Sequence, residues 1–290
     1  MLNASSHLQP RSTPDSGVFP ELLEGATIVV AHPDDEVMWF SSVLSRARKI
    51  VIAFSDIPSR PDYSAGRRAA LAAFPLPGLE ALLLTESEAY FAAAWPDPKP
   101  DPFGLAVRRD DDTMPGFSLS RYRKNFGRLV EALRPRLRDA KVVCTHGPWG
   151  EYGHEEHVQV FRAVDALRVE LGFRMFFTNY VSNRSQQLFA RYLPRLPEAM
   201  FTLPTDAPLC AALMDLYKRT NCWTWYDDYR WPAHESFIEW LGDDRPVVKG
   251  GQSYPMNFIR LQAAGKPVRA RFSVGQLRHR FADLRDTMRV

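Results

Sequence analysis

The sequence predicts an α/β fold: a Rossmann-like, mostly parallel sheet with helices on both faces, followed by a helical, aromatic-rich C-terminal extension. Three observations predict it. Short apolar runs rich in β-branched residues read as buried strands. Segments with apolar residues at helical spacing alternate with those runs, which is the order that builds a parallel sheet with crossover helices. Beyond residue 200 the rhythm changes to helices, loops and many aromatic residues. At 290 residues, 45% hydrophobic and 24% charged, the chain has the length and composition of one large folded α/β domain.

The elements follow in order. Residues 1–22, polar and punctuated by Pro10, Pro14 and Pro20, read as a flexible leader ahead of a core spanning 23–200. The first strand is ATIVVA at 26–31. Apolar spacing over 37–46 predicts the first helix, KIVIAF at 49–54 the second strand, and residues 64–74 the second helix. A short third strand falls at 82–84. Residues 93–116 carry five prolines and several aspartates, so they read as a long loop, a length usually reserved for lids or binding loops. A helix over 119–133, stopped by Pro135, leads to a strand at 142–145. Another helix over 154–171 and a strand near 175–180 complete the alternation. Residues 201–290 are expected to pack on the same domain. The basic run at 266–290, seven Lys/Arg against two Asp, reads as a solvated helix face.

Composition excludes several classes. A formal charge of +3 gives no argument for nucleic acid or membrane as a partner. No apolar run reaches the roughly 18 residues that span a bilayer, and the N-terminal segment lacks the apolar stretch of a signal peptide. Cys144, Cys210 and Cys222 are odd in number and widely spaced, which fits neither a disulfide framework nor a Cys-based zinc site. They read as reduced, mostly buried thiols in a cytoplasmic protein. No feature sets the oligomeric state, and a homo-oligomer is compatible with the pattern.

The chemistry concentrates in two segments. Ala31-His32-Pro33-Asp34-Asp35-Glu36 directly follows the first strand, where open α/β sheets bind their ligands. One imidazole and three carboxylates in five residues need compensation when buried, and a divalent cation supplies it. His32 and Asp35, three apart across a tight turn entering a helix, can aim at one point. Asp34 must point elsewhere, toward a water rather than the metal. The second segment, Trp149-Gly150-Glu151-Tyr152-Gly153-His154-Glu155-Glu156-His157, is again a strand-end loop running into a helix, with His154 and His157 on one helix face. Two such histidines plus a distant His/Asp pair match the nitrogen-and-oxygen donors zinc prefers, and three protein ligands leave the open position of a catalytic site.

The AHPDDE segment and the later YGHEEHV segment resemble the two signatures of the PIG-L/LmbE-like zinc-dependent N-acetylglucosamine deacetylases. The similarity in strand–helix order covers roughly residues 24–180. The resemblance implies that His32, Asp35 and His157 bind Zn2+, that Asp34 is the general base, and that a protonated His154 faces the carbonyl oxygen as its charge develops. It places Tyr152 where the family often has a tyrosine that polarises the substrate carbonyl. Glu156 stands where Asp is usual, with an inferred role in orienting a histidine. The family's Arg-x-x-Glu pattern is only half present: Arg67 and Arg68 are there, but Ala70 and Leu71 stand in place of the Glu. The implied reaction is hydrolysis of an N-acetyl amide on a small-molecule amino sugar, free or conjugated. The same donor set would accept Fe2+ or Co2+.

Plainer readings stand beside these. A lone His32 would read as a cap or core residue; joined to Pro-Asp-Asp-Glu at a strand end it does not. Glu36 fits a first-turn helix-dipole role as well as an orienting one, and Tyr152 fits a loop aromatic as well as a donor. Asp56 reads first as a cap. Trp223, Trp225, Tyr226, Tyr229, Trp231 and Trp240 are explained first by packing and second by stacking on sugar. His146 is near enough to the second segment to support it, whereas His7, His234 and His279 carry no functional reading. Two other functions remain to be weighed. A nucleotide-sugar-binding transferase would want a glycine-rich loop where His-Pro-Asp-Asp stands. A non-catalytic sugar- or metal-binding relative would keep the ligands without turnover.

Overall fold

The computed structural model describes residues 21–108, 116–197, 200–247 and 254–261. The expected leader therefore lies outside the described residues up to residue 20, and the basic 266–290 run lies outside them entirely. Glu21–Leu23 form a short 3-10 turn that buries Leu23.

Strand β1 (Thr27–Val30) runs into helix α1 (Asp35–Leu44), β2 (Lys49–Asp56), α2 (Pro61–Ala72) and β3 (Leu79–Thr85). A small hairpin of β4 (Pro100–Asp101) and β5 (Gly104–Leu105) precedes α3 (Leu119–Leu137), β6 (Val142–Thr145), α4 (Glu155–Leu171), β7 (Arg174–Thr178), β8 (Tyr180–Ser182) and α5 (Gln186–Tyr192). The chain continues through β9 (Met200–Pro204), α6 (Ala207–Arg219), β10 (His234–Trp240) and β11 (Asn257–Ile259). Seven strands form one sheet in the order β3-β2-β1-β6-β7-β10-β9. The first five are parallel to their neighbours, and β10 and β9 add antiparallel.

The period-2 alternation of the strands explains both layers. Ile28 and Val30 of β1, with Ile50 and Ile52 of β2, face a core shared with Val37 and Val43 of α1 and Leu213 and Tyr217 of α6. Val29 and Val51 point the other way, onto Leu129, Leu133 and Leu137 of α3 and Val160 and Val164 of α4. Each such fully buried side chain contributes about 1.5–3 kcal/mol relative to exposure. The expected helices on both faces are therefore present. The three cysteines are free and buried, as their spacing suggested.

The structure departs from the sequence reading at three places. Helix α3 continues through Pro135 to Leu137, because Leu137 is fully buried against the sheet and carries the last turn past the missing N–H. Residues 93–108 are not a structureless loop: they hold the β4–β5 hairpin and an Ala93–Val107 bridge. Most consequentially, the segment beyond residue 200, expected to be helical, supplies two strands of the central sheet besides α6. Its strand β10 buries Phe237 on one face and Ile238 with Trp240 on the other, an alternation that aromatic residues disguise because they suit either element.

The strand order reverses at β1, between β2 and β6. The crevice outside the carboxyl ends of β1 and β6 is the place where such sheets bind ligands.

Candidate metal centre and active site

Both sequence segments end in that crevice. The turn after β1 is built by carboxylates turned back on the backbone: Asp35 Oδ2 accepts from the His32 N–H at 2.8 Å, and Glu36 Oε2 accepts from the Asp34 N–H at 3.1 Å. Asp34 sits at φ 97°, a left-handed conformation that costs a non-glycine residue about 1–3 kcal/mol and is tolerated where the surroundings over-determine it. In the second loop, Gly150 at φ 64° allows a turn in which any Cβ would lie 2.6 Å from the His154 carbonyl oxygen. His154 is the N-cap of α4 rather than its first helical residue, and its Nδ1 accepts from the Glu156 N–H at 3.2 Å.

His32, Asp35 and His157 are brought together, each offering one ligand atom within 4.8 Å of the others, and all are 4% exposed or less. Asp35 Oδ2 is the meeting point, 3.2 Å from His32 Nδ1 and 3.2 Å from His157 Nε2. His157 Nε2 is buried without a hydrogen-bond partner despite that distance, because the angle is wrong for one. An orphaned ring nitrogen facing a carboxylate oxygen and a second imidazole is a donor set suited to a divalent cation. The three residues fit zinc.

The remaining ring nitrogens are held from behind. Glu151 Oε2 lies 2.7 Å from His157 Nδ1 and 2.8 Å from His146 Nδ1, while His146 Nε2 accepts from the Ala31 N–H at 2.8 Å. His32 Nε2 lies 3.2 Å from Glu156 Oε2 and 3.4 Å from Glu86 Oε1. Glu156 Oε1 is in turn held by the Ser87 N–H and hydroxyl. The orienting role inferred for Glu156 is thus matched by its contacts, although it bears on His32. Trp39 Nε1 donates to Asp35 Oδ1 at 2.9 Å.

The electrostatics follow from burial and neighbours. Burial alone would depress His32, but Glu86, Asp35 and Glu156 raise it to about 10; Asp35 and Glu151 likewise outweigh burial to raise His157 to about 9. Burial opposes ionisation of Asp35, yet His157 and His32 hold it well below the usual carboxylate range. His146 and His157 bring Glu151 down to about 2 against the same opposition. Burial and the Asp35 charge push Asp34 well above it, and burial lifts Glu36 to about 7. Without a metal, the carboxylates therefore draw protons onto His32 and His157. A divalent cation would supply the same two charges.

Asp34 is not among the three clustered ligand atoms, and its Oδ2 accepts from the Thr224 hydroxyl at 3.1 Å. The His154 ring stacks on His157 at 4.7 Å and 15°. Burial and the two neighbouring histidines hold His154 well below the usual imidazole range, so it is neutral where the resemblance implied a protonated ring. With Nδ1 accepting from a backbone N–H, Nε2 carries the proton. Tyr152 packs edge-on against His157 at 5.2 Å, and burial keeps its phenol protonated.

The secondary candidates divide. Arg67 is buried and paired with Glu86, its guanidinium 4.9 Å from the Tyr63 ring, whereas Arg68 pairs with Asp56 at the surface. Glu36 orients the turn, its Oε1 accepting from the Tyr217 hydroxyl at 2.5 Å. Among the aromatics, Trp225 packs on Trp39 and Tyr152 at 5.5 and 5.1 Å, and Trp240 packs on Phe161 at 5.1 Å. His234 is exposed at the start of β10; His7 and His279 lie outside the described residues. Sequence reasoning missed Glu86, Glu151, Ser87 and Thr224. Glu151 was visible inside the second segment, but its partners were not; Thr224, 190 residues from Asp34, left no local signal.

No family model matches the chain, and no curated protein does. Among solved structures, it is similar to the zinc-inhibited form of teicoplanin deacetylase Orf2, at 12% identity over 76% of this chain and 99% of that one, with a TM-score of 0.48. A deacetylase–teicoplanin complex from the teicoplanin biosynthesis pathway aligns at 13% identity over 79% and 99%, TM-score 0.43. The A40926 pseudoaglycone deacetylase Dbv21 aligns at 15% identity over 68% and 81%, TM-score 0.39. Likenesses this distant decide neither family nor activity, and the chemistry of the site is read from its own residues.

Proposed function

We propose that the protein is a zinc-dependent hydrolase that removes an N-acetyl group from an amino sugar of the N-acetylglucosamine type, releasing acetate. The observation that carries the reading is the convergence of His32 Nδ1 and His157 Nε2 on Asp35 Oδ2, with His157 Nε2 left without any other partner. The match of AHPDDE and YGHEEHV to the two deacetylase signatures supplies the amide and the amino sugar.

His32, Asp35 and His157 would hold the metal. Zinc bound there would act as a Lewis acid, making water a competent nucleophile near neutral pH and drawing charge from the carbonyl. Asp34, outside the ligand trio and with its carboxyl raised, accepts the proton of the attacking water and passes it to the departing amine. His154, neutral and with its proton on Nε2, donates to the carbonyl oxygen as negative charge develops; such a donor is typically worth about 3–4 kcal/mol. Tyr152, held as the phenol, is a second donor at the carbonyl. The near-complete burial of these groups excludes water other than the reactant and strengthens each interaction.

The test is a mass-spectrometric screen of N-acetylated sugars and their conjugates for loss of one acetyl group. Activity should vanish with a chelator and return with Zn2+, and Asp34→Ala should keep the metal while losing on the order of 100-fold or more in turnover. Undiminished turnover in the chelated protein or in Asp34→Ala would overturn the reading.

A further inference from the structure

The segment that follows β3 leaves the crevice in an unusual way. Ala89 and Ala92 are fully buried, yet between them Tyr90 is half-buried and Phe91 is 38% exposed. Phe91 also sits at φ 77°, a left-handed conformation that bulky residues rarely adopt. The surroundings hold both the partly exposed ring and its left-handed backbone in place. The Phe91 N–H donates to Glu155 Oε2 at 3.3 Å. The Arg184 guanidinium lies 4.1 Å from the Phe91 ring centre, and its Nη2 is anchored on Glu155 Oε1 at 3.2 Å. A Cβ at Gly153 would come within 3.1 Å of that arginine's side chain, which would have to give by a few tenths of an ångström.

This aromatic pair continues directly from the metal-ligand cluster. The His32 and His154 rings are 4.7 Å apart, His154 stacks on Tyr90 at 4.9 Å and 19°, and Tyr90 meets Phe91 at 4.3 Å. Exposure rises along the series, from 4% at His32 and 8% at His154 to 38% at Phe91. A molecule whose acetamide reaches the cluster has its next atoms beside this wall. A pyranose ring presents one face of C–H groups, which packs on an aromatic ring while its hydroxyls stay in water.

We propose that Phe91, backed by Tyr90, is the ledge on which the pyranose ring of the amino sugar stacks. The inference rests on the amino-sugar reading above and adds the residue that recognises the ring. Phe91 is a binding residue; it holds the sugar and takes no part in bond cleavage.

The test compares the full-length zinc-loaded wild type with Phe91→Ala and Phe91→Trp. Dissociation constants are measured by NMR titration for N-acetylglucosamine and for N-acetylethanolamine, which carries the acetamide without the ring. Phe91→Ala should weaken N-acetylglucosamine about tenfold and leave N-acetylethanolamine within twofold, while Phe91→Trp keeps wild-type affinity for the sugar. On whichever sugar conjugate the wild type hydrolyses, KM should rise for Phe91→Ala with kcat little changed. Equal sugar affinity in wild type and Phe91→Ala, or equal losses for both ligands, would overturn the ledge alone. Failure of the wild type to bind the sugar at all would overturn the amino-sugar reading and the ledge with it.

Discussion

Glu151 Oε2 stands 2.7 Å from His157 Nδ1 and so decides which nitrogen of that ring faces Asp35. A carboxylate accepts only, so Nδ1 keeps its proton and Nε2, facing Asp35, is the nitrogen that would give up its proton to a cation. The same oxygen holds His146 at 2.8 Å, which ties the loop after β6 to the turn after β1 through the Ala31 N–H.

Glu151→Gln should therefore weaken metal binding by about 10–100-fold, because an amide N–H can donate to Nδ1 and shift the proton to Nε2. Competition against a chromophoric chelator measures it. Unchanged affinity would show that the ring is oriented by packing alone.

Thr224→Val should lower kcat on the order of tenfold with KM little altered, since the lost hydroxyl donates to Asp34, the proposed general base. Thr224→Ser keeps the hydroxyl and should restore turnover. Equal rates in Val and Ser variants would reduce Thr224 to a packing residue.

Metal loading should release protons. In the metal-free protein His32 at about 10 and His157 at about 9 are both protonated at pH 7, and a cation must displace those protons. Zn2+ affinity should fall as pH is lowered, and calorimetric titration in buffers of different ionisation enthalpy should show the release. The same shifts set the pH dependence of the metal-free fold. Both values are raised above 6.5, so their contribution is complete below that pH and is lost as pH climbs through about 9 to 10. Thermal midpoints of the metal-free protein should drop across that window.

Glu235 gives an independent pH test away from the metal cluster. It is fully buried, bonded to Ser41, Ser42 and Tyr180, and burial raises its carboxyl above the usual range. The wild type therefore loses stability as pH rises through the folded-state value, while Glu235→Gln, neutral throughout, does not. The melting temperature of the variant relative to wild type should increase from pH 4 to pH 8. A constant difference would refute the shift.

Much of this was legible along the chain. The β1 and β2 runs are apolar on both faces because helices cover both, and that makes them readable without a partner. His32, Asp34 and Asp35 are dense enough in charge to announce a cation. The end of α3 is not legible, because Pro135 is a local signal and the burial of Leu137 is not. The protonation of His154 is not legible in the family pattern, which carries no information about the burial and neighbouring rings that lower the pKa of its imidazole. Strands β9 and β10 are hidden because β10 pairs with β7 and β9 pairs with β10, contacts no window of sequence contains.

Sequence alone settled the chemistry on offer, since residue type and spacing decide which donors two short loops can present. Only the folded chain decided their states: which nitrogen of His157 faces Asp35, in which direction burial and neighbours shift each carboxyl, and that Thr224 and Tyr217 reach Asp34 and Glu36 from 190 and 181 residues away. The physical reason is that ionisation and hydrogen bonding depend on what lies within a few ångströms in space, and burial removes the water that would otherwise make neighbours interchangeable.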